Sequence, residues 1–175
     1  MKGIIFYKFN RMVETVFGAD MLEQVLSNSH LASEGIYTVN GYYSHDELVE
    51  QVRVLSELTE MDVSQIIFDF GVFLFGELVR LPSPFMSNYK DAFTMIADVD
   101  SVIHPEVQRQ HPDANLPRFE TLLRDEKTLK IVYRSSRHFD DLAHGLMQGC
   151  LNHFGEKASI KSEPYQSGTL FILSK

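Results

Sequence analysis

Between residues 3 and 17, Ile4, Ile5, Phe9, Met12, Val13 and Val16 recur near the spacing that lines one face of a helix. A break at Phe17-Gly18 precedes a second helical stretch, "ADMLEQVLSNS". Ser44 with Glu47 forms a capping-box pattern ahead of Leu48, Val52, Leu55 and Leu58, and Asp62 with Gln65 repeats it. The next run, "IIFDFGVFLFGELVRL" at 66–81, is apolar on nearly all sides and predicts a central buried helix. Asp69, Glu77 and Arg80 interrupt it, and it is shorter than the roughly 20 residues a membrane span needs. Pro82 and Pro84 are expected to end it. Asn88 is expected to open another helix, "YKDAFTMIADVDSVI", running into His104-Pro105.

After Pro117 the period changes to two. "RFETLLRD" and "KTLKIVYRS" read as strands joined by a polar turn at 125–127. "FDDLAHGLMQGCLNHFG" reads as an amphipathic helix closed by Gly155, and two short strands follow around "ASIKSE" and "GTLFILS". Strand, strand, helix, strand, strand suggests an antiparallel sheet packed on a helix. The fold class is therefore α+β: a helical first part, then a smaller part with a four-stranded sheet. No repeat or linker divides the 175 residues, so a single domain over 1–175 is expected.

Composition narrows the partners. A net charge of −8 disfavours nucleic acid and anionic membranes. The single cysteine, Cys150, excludes an intrachain disulfide, a Cys-rich zinc site and C-x-x-C-H haem attachment, so any haem is held non-covalently. Cys150 lies between Met147 and Leu151 and reads as buried packing. Met1 runs into patterned sequence without a signal region, which predicts a cytoplasmic location.

Candidate chemistry is sparse. Of His30, His45, His104, His111, His138, His144 and His153, none falls in an H-E-x-x-H pattern. His138, His144 and His153 have polar neighbours and are expected to face solvent; His104 instead follows the apolar "MIADVDSVI". Asp140 and Asp141 read as a helix N-terminal feature, not a catalytic dyad. G-x-S-x-G, Walker and G-x-G-x-x-G motifs do not occur, and the chain reads as a non-enzyme. The stretch "KIVYRSSRHF" stands apart. Leu129, Ile131, Tyr133, Ser135 and Arg137 alternate, so an extended chain puts them on one face that turns from apolar to polar. Two hydroxyls and a guanidinium together suit a ligand that carries carboxylates. A strand fraying into polar surface is the alternative.

Read together, "MKGIIF" at the start, Gly71, His104, Pro117 and Tyr133-x-Ser135-x-Arg137 resemble the haem-nitric oxide/oxygen-binding (H-NOX) domains. These are bacterial relatives of the soluble guanylate cyclase haem domain. The resemblance spans the chain and implies haem b, with iron, between the two parts. It implies His104 as the proximal iron ligand, Pro117 pressing on the macrocycle, and Tyr133, Ser135 and Arg137 gripping the propionates. Ungapped matching puts Leu142 where oxygen-binding members carry a distal tyrosine, with Phe9 and Leu74 in place of its hydrogen-bonding neighbours. Ile5, Leu78 and Leu146 complete an apolar distal set. The structural zinc of some members is not expected here, since it needs several cysteines.

The resemblance implies a nitric oxide sensor that also takes carbon monoxide, in which gas binding weakens the His104 bond and shifts the two parts. It implies a separate signalling partner, a histidine kinase or a cyclic-di-GMP enzyme, and no output domain in the chain. An oxygen or redox sensor on the same fold and a haem-free adaptor module are the alternatives.

Overall fold

In the computed structural model, which describes residues 1–81 and 88–175, helical periods fill the first part of the chain and the sheet the second. The helices are α1 (Gly3–Phe17), α2 (Ala19–Asn28), α3 (Asp46–Thr59), α4 (Val63–Leu78), α5 (Ala92–Ala97), α6 (His104–Gln110) and α7 (Asp140–Phe154). A π-helical turn, Val99–Ile103, joins α5 to α6. The strands β1 (Arg118–Arg124), β2 (Thr128–Arg134), β3 (Ser159–Tyr165) and β4 (Gly168–Ser174) form an antiparallel sheet in the order β1-β2-β4-β3. No helix of the described residues is long and apolar enough to cross a membrane.

Two apolar cores result. The first is built from α1 to α4, where Phe6, Phe9, Val13, Val25, Leu55, Phe70 and Leu74 are buried. The second lies between the sheet and α7, with Leu129, Ile131 and Tyr133 of β2 and Phe171 and Leu173 of β4 meeting Met147, Cys150 and Leu151. Helix α4 serves both, since Leu74 belongs to the first core and Phe75 to the second. Its contact with α7 depends on glycine. A Cβ at Gly145 would lie 2.0 Å from the Phe68 carbonyl oxygen, and one at Gly71 would lie 2.5 Å from that of Leu142. Only bare backbone permits that approach. Cys150 is buried as expected, and burial pushes its thiol up to about 12.

Several local expectations fail for identifiable reasons. Neither capping box forms. Glu47 instead accepts from Ser33 Oγ at 2.5 Å and Tyr37 OH at 2.9 Å, and Gln65 donates to Asp69. Asp91, not Asn88, caps α5, accepting from the Thr94 amide at 2.7 Å. His104 does not end a helix but opens α6, because Pro105 is tolerated in a first turn, whose N–H groups need no helical partner. Helix α4 ends at Leu78, and Pro82 and Pro84 lie outside the described residues.

Candidate functional site

Strand β2 carries the polar motif only in part. It ends at Arg134, and Ser135 to Phe139 turn the chain into α7, with His138 in the left-handed region at φ 53°. The single alternating face expected for Tyr133, Ser135 and Arg137 is therefore not a strand face. The turn still collects the three: Ser135 Oγ accepts from the Arg137 amide at 3.1 Å. Arg137 Nη1 donates to the Asn115 carbonyl at 2.9 Å, which ties the turn to the segment ahead of β1. Tyr133 is 4% exposed, and burial raises its phenol above the ordinary value while neighbouring Ser135 pulls it down. It stays a protonated donor at neutral pH. The N-terminal ammonium, held by the Tyr43 carbonyl at 2.6 Å, lies within electrostatic range of Arg137. Burial first, and then that guanidinium, lower its pKa.

His104 sits where the π turn gives way to α6. Its side chain is 17% exposed, and its Nδ1 is buried without a hydrogen-bond partner among the described residues. Burial lowers its pKa, against the opposing pull of the Asp100 carboxylate and the Pro117 carbonyl. The result is a neutral imidazole, the form that ligates metals. Aromatic contacts run from it into the polar motif: His104 to Phe119 at 5.8 Å between ring centroids, then Phe119 to Tyr133 at 5.3 Å. Pro117 is partly buried between α6 and β1.

The six apolar candidates converge from three helices. Ile5 and Phe9 come from α1, Leu74 and Leu78 from α4, and Leu142 and Leu146 from α7, all within or against the first core. Leu146 also packs on the second core, so this set reaches the seam between them. His144 departs from expectation. Its ring is half-buried between Phe68 at 4.9 Å and Phe171 at 5.9 Å, while His138 and His153 are exposed.

These residues fit a haem. The site has an apolar seam for a flat macrocycle, hydroxyl and guanidinium donors for carboxylates, and a neutral, incompletely partnered imidazole for iron. Asp100, Phe119 and Asn115 escaped sequence reasoning. The i, i+4 spacing of Asp100 and His104 was a signal for the first; the other two depend on the fold.

The haem-NO-binding family model matches residues 2–162, and the chain belongs to that family. The unliganded Fe(II) H-NOX protein from K. algicida superposes with a TM-score of 0.92 at 32% identity, covering 99% of this chain and 96% of that one. The H-NOX protein from Shewanella woodyi, solved with IWP-051 in the Fe(II)CO state, is 33% identical. Its TM-score is 0.85, and the match covers 100% of this chain and 94% of that one. An H-NOX protein from S. oneidensis in the Fe(II)NO state shares the fold at a TM-score of 0.91 and 24% identity, over 99% of this chain and 98% of that one. Comparison with curated proteins returned no match. The fold is that of a haem-based gas sensor, a sensor domain and not a catalytic one.

Proposed function

We propose that this domain senses nitric oxide through a non-covalent haem b held by His104, Tyr133, Ser135, Arg137 and Pro117. The observation that carries the choice of gas is the apolar set of Ile5, Phe9, Leu74, Leu78, Leu142 and Leu146. When bound, the ferrous haem supplies the atom that takes the gas, nitric oxide strongly without a hydrogen bond and oxygen stably only with a donor. The chain's own residues do the rest. His104 offers a neutral ring nitrogen to iron, Arg137 and the two hydroxyls hold the propionates, and the apolar set keeps water and donors away. Support also comes from relatives solved in NO-bound and CO-bound states.

The signal is movement of the His104 segment relative to the first core. A separate cytoplasmic signalling protein, a histidine kinase or a cyclic-di-GMP enzyme, reads it, and residues 1–175 act as one sensor domain. Visible spectra of the reduced protein under argon, in air, and with nitric oxide or carbon monoxide test this. Both NO and CO should shift the Soret band, while air should give no stable oxygen complex. Purified protein that neither carries nor takes up haem overturns the reading. A stable oxygen complex overturns the choice of nitric oxide.

A further inference from the structure

The carboxylate of Asp100 joins three things. Its Oδ1 accepts from the Phe119 amide at 3.2 Å and lies 3.7 Å from His104 Nδ1, and its Oδ2 lies 3.6 Å from Arg118 Nη1. Asp100 belongs to the π turn, where the Val102 and Ile103 amides both reach the Asp98 carbonyl, at 2.9 and 3.2 Å. Turns of this kind are rare, and many sit at functional sites. Here the turn holds Asp100 and the three residues that separate it from His104, and it leaves both facing β1. Phe119, whose amide Asp100 holds, also meets the His104 and Tyr133 rings, each at a tilt of 55–56°.

We propose that Asp100 is the positioning residue for His104, taking its Nδ1–H when the other ring nitrogen binds iron. This rests on the reading of His104 as the iron ligand. The 3.7 Å separation exceeds a hydrogen bond, and the unpartnered Nδ1 is the polar atom such a bond would satisfy. A ligating histidine ordinarily gives its second N–H to a carboxylate, carbonyl or water, which fixes the ring and raises its basicity. Asp100 adds a mechanical link, because the same carboxylate is anchored at the start of β1. Ring orientation is thereby tied to the strand that leads toward Tyr133. Arg118, 82% exposed in its side chain, sets how much of the carboxylate's charge is left for the histidine.

The test is the iron–histidine stretching band of the haem-loaded ferrous protein, read by resonance Raman in wild type, Asp100→Asn, Asp100→Ala and Arg118→Ala. Asp100→Ala should lower the band and Asp100→Asn should lower it less. Loss of haem to a scavenger should rise about tenfold, the low end of the cost of removing such a partner. Arg118→Ala should raise the band, by freeing carboxylate charge. Unchanged bands in haem-loaded Asp100 variants overturn the proposal while leaving His104 as ligand. Should those variants fail to fold, Arg118→Ala decides alone, an unshifted band being the overturning result. A wild-type band that survives His104→Gly removes the ligand assignment itself, a different failure.

Discussion

The two sides of the candidate site are made from different materials. On the α1, α4 and α7 side the set is aliphatic and aromatic, and Phe9 and Leu74 are all but fully buried. On the α6 and β1 side, His104, Asp100 and Arg118 bring charge and unsatisfied polarity to elements in which the π turn and α6 bury no residue completely. The first side is closely packed, and the proposed choice of gas rests on the donors it lacks. The second is lightly packed and leaves His104 Nδ1 without a partner among the described residues, which suits the movement proposed for it. Polarity near the first side is sequestered: Lys8 and Glu77 pair at 2.7 Å, with Arg80 also on Glu77 at 2.9 Å.

The largest expected effect tests the polar side. His104→Gly should cut haem retention well beyond the other variants, and added imidazole should restore the ferrous spectrum. Arg137→Ala comes next. Loss of a charge-assisted bond of about 1.5–3 kcal/mol should weaken haem affinity roughly tenfold to a hundredfold, measured by transfer to a scavenger. Tyr133→Phe should act in the same direction and less.

On the apolar side, Leu142→Tyr adds a donor in a dry setting, worth about 1–3 kcal/mol to bound oxygen. Oxygen affinity from equilibrium spectra should rise up to about a hundredfold, and Phe9 and Leu74 offer nothing to orient the hydroxyl. Unaltered oxygen affinity would place Leu142 away from the gas.

The smallest effect concerns pH. The hydrogen bond from Lys8 holds the Glu77 carboxyl below its ordinary value. Its contribution to stability is thus present above the unfolded carboxyl value, about 4.3, and is lost as pH falls through the depressed folded value. Denaturant midpoints should drop below about pH 4, and less steeply in Glu77→Gln.

Helices α1, α2, α4 and α7 and all four strands were legible. Apolar spacing marked the helices and the inner strands β2 and β4, while the largely exposed β1 and β3 were marked by the turns that bound them. Caps were not. Glu47 has the right spacing from Ser44, yet Ser33 and Tyr37, distant in sequence, claim its carboxylate. The Y-x-S-x-R motif was found through strand alternation, but a turn, not a strand, gathers it, with Asn115 as an anchor 22 residues away.

The sequence by itself determined which residues are apolar, where the period changes, and that His104 and Arg137 stand out from their surroundings. Covalent order and side-chain chemistry suffice for that. Tertiary structure alone decided the approach of α4 to α7 through Gly71 and Gly145, the meeting of both cores at Leu146, and the closeness of Asp100 to Phe119 and His104. The reason is physical. Burial periodicity is a property of one element, whereas steric closeness and hydrogen-bond partnership belong to pairs of elements that only packing brings together.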